Sequence, residues 1–202
     1  MNPRCLLPLL VCAIPLAHGQ IVYEAFLDGP SESPPNASPG SGIAKVAYDS
    51  AAHTLTLDVS FAGLLGTTTA SHIHAPTATP FDGIAGAVIV PPTLPLFPLG
   101  VTSGTYSHVF DLLDTTTYSA AFVTASGGTA AGAEAAMATY LADGKAYLNI
   151  HSAAFGGGEI RGFFVPVPEP AGTTLVVAGL LGAFGLYRRH SRRGEDSTSS
   201  AA

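Results

Sequence analysis

Three histidines are the residues of this sequence whose types and spacing are best suited to chemistry. His72 and His74 lie two positions apart in the predicted strand Ala70–His74, so both imidazoles project from one face of that strand. Asn149 and His151 likewise share a face of a second predicted strand, 145–151. If the two strands are neighbours, His72, His74 and His151 can converge on one zinc or copper ion.

The same histidines also have a structural interpretation and a redox interpretation. Histidines near strand ends often hydrogen-bond loop carbonyls and hold hairpins together. A His-x-His strand also occurs in the copper site of copper–zinc superoxide dismutase, but that enzyme needs more ligands, including a bridging histidine and an aspartate, and uses a disulfide. Only His53 and His108 remain here as further histidines of the domain, in unrelated contexts. Structural histidines, a metal site and the less favoured redox enzyme therefore remain open.

Other polar residues near the second strand are predicted to be structural. Glu159 and Arg161 share a face of the last predicted strand, where an ion pair or backbone hydrogen bonds are favoured over acid–base catalysis. The Gly156–Gly158 run precedes a strand and not a helix, so it predicts a turn and not a phosphate loop. The sequence shows no Ser/His/Asp order, no paired catalytic carboxylates and no cofactor fingerprint. We therefore predict a non-enzymatic protein, with zinc or copper as the candidate cofactors.

The elements that must position these residues are short strands. Predicted strands cover 21–27, 43–48, 54–61, 70–74, 85–90, 104–110, 119–123, 145–151 and 159–165. One helix is predicted over 129–143, with Met137, Tyr140 and Leu141 on its apolar side and Gly144 as its C-terminal stop. We therefore predict an all-β fold with a minor helical part, an antiparallel β-sandwich of about six to eight strands with one short helix.

The charge of the central region limits its partners. Residues 20–170 carry twelve acidic and three basic side chains, a net charge of −9. Such a charge argues against nucleic acid or anionic lipid as a partner of this domain. Few charges and many Thr, Ser, Gly and Pro residues favour an extracellular β protein.

The first nineteen residues have the organisation of a secretory signal. Arg4 supplies a positive region, Cys5–Leu16 an apolar core, and Ala17–Gly19 a small-x-small cleavage site, so we predict a signal peptide over 1–19. Cys5 and Cys12 would leave with it, and the remaining chain would have no thiol for a disulfide or a cysteine metal site. The exported domain is expected over 20–166.

A second sorting segment is predicted over 167–193. Val167, Pro168, Glu169 and Pro170 precede seventeen mostly apolar residues, 171–187, which as a helix would extend roughly 26 Å and nearly cross a bilayer core. A basic cluster follows and predicts a cytoplasmic C-terminus; it consists of Arg188, Arg189, Arg192 and Arg193. Residues 194–202 are predicted to be a disordered tail.

The order of motif, apolar helix and basic cluster resembles the PEP-CTERM signal of Gram-negative bacteria. That resemblance implies recognition and cleavage by an exosortase-type protease after delivery by the export machinery. The alternative is a single-pass anchor in the inner membrane that is not processed.

Several motifs of the central region resemble a CHRD domain over about residues 23–165. They are Leu27–Gly29, Glu32 with Pro34–Pro35, Phe61–Leu64, Ser71–His74, Gly100–Gly104, Gly144–His151 and Gly158–Gly162. The resemblance implies an extracellular β-rich module with no established activity. Within these motifs, Asn149, Glu159, Arg161 and Gly162 are expected to be structural.

The predicted function combines both resemblances. We expect an exported, non-enzymatic CHRD-type β module that is sorted to the envelope or the extracellular matrix, where exopolysaccharide is a candidate partner. The alternative is an extracellular protein that binds zinc or copper through His72, His74 and His151, with superoxide-dismutase-like activity less favoured.

Overall fold

The computed structural model describes residues 20–89 and 91–168. Several predicted features lie outside these residues: the signal peptide at 1–19, Glu169 and Pro170 of the sorting motif, the helix at 171–187, its basic flank and the tail at 194–202. Within the described part of the chain, none of the helices is both long and apolar enough to cross a membrane.

Eight antiparallel strands form one continuous sheet. The order is β4-β6-β7-β1-β2-β3-β5, with β8 pairing β1. The strands are β1 Ile21–Asp28, β2 Ser41–Asp49, β3 Thr54–Ala62, β4 Thr68–His74, β5 Gly104–Asp111, β6 Tyr147–Ser152, β7 Ile160–Phe163 and β8 Val165–Pro166. The all-β prediction is confirmed. The two separate sheets of a sandwich are not observed, because β1 pairs with both β2 and β7 and so joins the two halves.

The sheet encloses the core on one face. Along β3, Leu55, Leu57 and Val59 are buried and alternate with less buried neighbours, as a strand with one covered face requires. At the other end of the sheet, Leu148 and Ile150 of β6 contribute to the same hydrophobic core.

Two α-helices cover part of the core, where one was predicted. The first, α1 (Ala120–Ala125), replaces the predicted strand 119–123, because the hydroxyl of Ser119 accepts the Phe122 N–H as an N-terminal cap. This cap outweighs the strand preference of the aromatic and β-branched residues at positions 122 and 123.

The second helix, α2 (Ala130–Ala142), lies close to its predicted bounds. Thr129 caps its start by accepting the Gly132 N–H. Met137 and Leu141 are buried, as predicted for its apolar side. Gly144 follows the helix with φ of +67°, a conformation that favours glycine.

The segment from 75 to 103 covers the outer edge of β4. Its backbone N–H groups bond to β4 carbonyls: Val88 to Ile73 at 2.9 Å, Leu94 to Ser71 at 3.0 Å and Gly100 to Thr68 at 2.9 Å. The strand predicted at 85–90 is wrong, because among its described residues only isolated bridges form, at Ala87 and Ile89. We call residues 75–103 the cover segment. Two of its backbone carbonyl groups also contact the histidines of β4.

Candidate metal centre

Strands β4 and β6 are direct neighbours, and their register places the three histidines together. His72 is opposite Asn149, and His151 is opposite Ala70, two positions along β4 from His72. Because residues two apart share a face, His72, His74, Asn149 and His151 lie on the same side of the sheet. One ring nitrogen from each histidine lies within 4.8 Å of the other two.

Each histidine ring donates one hydrogen bond to a backbone carbonyl. His72 Nε2 donates to Pro92 O. His74 Nδ1 donates to Ala85 O at 2.8 Å. His151 Nδ1 donates to Gly156 O at 2.9 Å. A carbonyl oxygen only accepts, so each of these ring nitrogens must carry the proton of the neutral ring.

The remaining nitrogen of each neutral ring carries a lone pair. These nitrogens are His72 Nδ1, His74 Nε2 and His151 Nε2. The first and the last face each other at 3.1 Å. Two lone pairs at this distance repel each other, so the arrangement needs a proton or a metal ion to join them. The cluster therefore has the donors of a three-imidazole metal site.

Burial favours the neutral form of two of these rings, His74 and His151. Burial lowers the pKa of His74 to about 4, and the nearby His72 and His151 lower it further, while the bonds to Ala85 and Asn149 act in the opposite direction. Burial also lowers the pKa of His151. Protons therefore compete weakly for these two nitrogens at neutral pH.

Aromatic and cationic side chains hold His74 from the side. The Tyr147 ring stacks on His74 with centroids 4.8 Å apart and planes 3° apart. The Ala85 N–H donates to the Tyr147 hydroxyl at 3.3 Å. The Arg161 guanidinium carbon lies 4.9 Å from the centre of the Tyr147 ring. His74 is thus fixed by both its hydrogen bond and its stacking.

Arg161 itself links loops. Its Nε donates to Ser31 O, and its Nη1 donates to Gly83 O at 3.0 Å. Its nearest carboxylate is Glu32, with Nε and Oε2 3.9 Å apart. Burial raises the pKa of Glu32 to about 7, although the Arg161 charge and the Ser33 N–H lower it. Arg161 therefore reaches backbone carbonyls, Glu32 and the Tyr147 ring, and its link to His74 runs through that ring.

Glu159 is a buried carboxylate that joins three loops. It accepts hydrogen bonds from the Ser38 hydroxyl at 2.6 Å, from the Leu65 N–H and from the Gly66 N–H at 3.2 Å. Burial alone would raise the pKa of Glu159, but these bonds together with one from Ser152 lower it. A carboxylate with this many hydrogen-bond donors stabilises the contacts between these loops. Its lone pairs are occupied by those bonds and are not available to a ligand.

Gly162 lies where β7 approaches β1. A Cβ at this position would lie 2.0 Å from the Phe26 carbonyl oxygen, so no larger side chain fits without moving a strand. The predicted site residues thus separate into two groups. The histidines and Asn149 form one cluster, while Glu159, Arg161 and Gly162 hold the loops and strands around it.

Sequence reasoning missed the carbonyl partners of the histidines. Pro92 and Ala85 belong to the proline-rich cover segment, and Gly156 belongs to the turn between β6 and β7. Backbone carbonyls have no residue-type signature, so no sequence pattern could identify them.

Comparison with known proteins places the chain in one family. A family model described as the CHRD domain matches residues 23–164. No curated protein and no solved structure shows a significant match. The chain therefore belongs to the CHRD domain family.

Proposed function

We propose that this CHRD-domain chain binds zinc or copper(II) through His72, His74 and His151. One observation carries the proposal: the outer nitrogen of each ring donates to a backbone carbonyl, which leaves the other nitrogen for a metal ion, and one ring nitrogen from each histidine lies within 4.8 Å of the other two. Histidines that bind metals almost always donate their other N–H to such a partner, which fixes the tautomer and the orientation of the ring.

The purely structural interpretation explains only part of this geometry. Hydrogen bonds to loop carbonyls suit histidines that hold hairpins together. These bonds alone leave His72 Nδ1 and His151 Nε2 facing each other at 3.1 Å, where either a shared proton or a metal ion must join the two nitrogens. A metal ion would turn this repulsion into two favourable bonds.

Binding without catalysis is the activity that the cluster supports best. Among the described residues, the cluster that could hold an ion contains three histidines and no aspartate, whereas a superoxide-dismutase-like site needs more ligands. Redox activity therefore stays the less favoured alternative.

The proposal is tested by calorimetric titration of zinc and copper(II) into the metal-stripped full-length chain. We expect one equivalent to bind in the micromolar range or tighter, and His72→Ala, His74→Ala and His151→Ala each to weaken binding at least tenfold. His108→Ala is the matched control and should bind like the parent, because His108 lies on β5 at the opposite end of the strand order. No binding by the parent at micromolar metal would reject the proposal.

We also propose that the module works outside the cytoplasm, after export and sorting. The support is the signal-like segment at 1–19 and the PEP-CTERM-like segment at 167–193. Val167 and Pro168, the first two residues of the sorting motif, are exposed, and the Val167 N–H donates to Val22 O at 2.8 Å.

A further inference from the structure

The side-chain oxygen of Asn149 lies next to Nε2 of His74, which is the ring nitrogen that carries no proton when Nδ1 donates to Ala85 O. Its side chain is 4% exposed, and its Oδ1 lies 3.0 Å from His74 Nε2. The other nitrogen of His74 carries the proton that is donated to Ala85 O. A carboxamide oxygen and an unprotonated ring nitrogen are both acceptors, so they do not bond to each other.

We infer that Asn149 supplies its carboxamide oxygen as the fourth ligand of the metal ion. This inference rests on the proposed function. A metal between Oδ1 and Nε2 resolves the conflict of two acceptors, in the same way as between His72 and His151. The complete site is then three imidazole nitrogens and one amide oxygen, all from β4 and β6.

Two of the separations between these donor atoms suit neighbouring ligands of one metal ion. With metal–ligand bonds of about 2.0–2.1 Å, adjacent donors lie about 2.9 Å apart in a square plane and about 3.3 Å apart in a tetrahedron. The observed separations are 3.0 Å from His74 Nε2 to Asn149 Oδ1 and 3.1 Å from His72 Nδ1 to His151 Nε2. Copper(II) prefers a tetragonal site of nitrogen and oxygen donors and is therefore the probe of choice.

The alternative is a positioning role for Asn149. If its carboxamide is turned by 180°, Nδ2 donates to the lone pair of His74 Nε2 in the metal-free chain and holds that ring in place, and this bond must break when His74 binds a metal. The two roles give opposite expectations for Asn149→Asp. As a ligand, the carboxylate adds negative charge and binds copper(II) at least as tightly as the parent does. As a positioning group, it cannot donate and instead stabilises a proton on Nε2, which weakens copper binding.

The first experiment is copper(II) titration of the full-length chain and its Asn149→Asp and Asn149→Ala variants. We expect Asn149→Asp to equal or exceed the parent in affinity. Asn149→Ala should bind more weakly in either role, since loss of a positioning group alone typically costs about 10–100-fold, so Asn149→Asp is the deciding variant. An Asn149→Asp variant that folds but binds more weakly than the parent would overturn the assignment.

The second experiment needs no substitution at the buried position. The chain contains three asparagines, Asn2, Asn36 and Asn149. The Asn36 amide nitrogen already donates to the carbonyl oxygen of Glu159 at 3.0 Å, so Asn149 is the asparagine of the histidine cluster. Pulsed EPR of the copper(II) complex with asparagine labelled by ¹³C at the side-chain carbonyl should show a through-bond carbon coupling. Absence of this coupling would overturn the assignment.

These experiments separate the two proposals. If the parent binds neither zinc nor copper(II), the metal site and its fourth ligand both fail. If the parent binds and His151→Ala abolishes binding, but the carbon coupling is absent, only the assignment of Asn149 fails.

Discussion

Glu32 and His74 are buried groups whose titration should change the free energy of unfolding in opposite directions as the pH falls. Burial lowers the pKa of His74 from 6.5 to about 4, and burial raises the pKa of Glu32 from 4.5 to about 7. Between pH 4 and 6.5 the unfolded chain binds a proton at His74 that the folded chain does not, so acid removes stability. Between pH 4.5 and 7 the folded chain holds a proton at Glu32 that the unfolded chain has lost, so acid adds stability.

The two effects are of similar size. Because one pKa unit corresponds to about 1.36 kcal/mol, each group changes the free energy of unfolding by about 2 kcal/mol between pH 7 and pH 5. In the parent these changes largely cancel, while His151, whose pKa is also lowered by burial, adds to the loss in acid. Removing one group should therefore expose the effect of the other.

The assay is urea denaturation of the metal-stripped chain at pH 7, 6 and 5. Relative to the parent, Glu32→Gln should lose about 2 kcal/mol more between pH 7 and 5, and His74→Gln about 2 kcal/mol less. If the Glu32→Gln and His74→Gln profiles both run parallel to the parent profile, the assignment of these groups as buried titrating sites is wrong.

Three further predictions concern the core, a strand contact and sorting. Ile150→Ala and Ile160→Ala should each cost about 2–4 kcal/mol in denaturant unfolding, because both side chains are fully buried and paired across β6 and β7; parent-like midpoints would contradict this. Gly162→Ala should destabilise by about 1–3 kcal/mol or more, because its Cβ would lie 2.0 Å from a β1 carbonyl oxygen, whereas Gly157→Ala, with open space around its Cβ, should melt like the parent. In a host with an exosortase, mass spectrometry should find that the envelope-located protein has lost its C-terminal segment through a cut near residues 167–170. Retention of residues 188–202 in all of the envelope-located protein would leave a plain membrane anchor.

The sequence predicted the strands well because alternation is local information. In the hairpin of β2 and β3, buried and exposed positions alternate, and the predicted ranges 43–48 and 54–61 lie inside the observed strands. The error at 119–123 has a different origin. Helix α1 begins there because Ser119 caps it, and a cap of one residue is a weak signal beside aromatic and β-branched neighbours.

The number of sheets depends on contacts that the sequence pattern does not record. Burial alternates in the same way in a sandwich and in one curled sheet, since both have one covered face. The decisive feature is the pairing of Asp28 with Arg161, which are far apart in the chain and bring β1 beside β7. Their residue types alone do not predict this pairing.

For the candidate site, the two-residue spacing of the polar side chains predicted which of them share a strand face. It did not predict which strands pair or which carbonyl groups the histidines contact. The two-residue periods of β4 and β6 predict that His72 and His74 share a face, and that Asn149 and His151 share another. Whether those faces meet depends on the pairing of two strands about eighty residues apart, which the register supplies. The carbonyls of Ala85, Pro92 and Gly156 come from irregular segments whose paths are set by tertiary contacts.

The structural and the metal-binding interpretations of the histidines describe the same hydrogen bonds. A donor bond from each ring to a loop carbonyl holds the cover segment and the β6–β7 turn against the sheet, which is the structural role. The same bond fixes which nitrogen carries the proton, and it therefore leaves the other nitrogen as a metal ligand. A proton shared between His72 Nδ1 and His151 Nε2 would satisfy the structural role alone, whereas a metal ion would use the remaining nitrogen of all three rings. Metal titration of the parent and the three histidine variants therefore decides between the two interpretations.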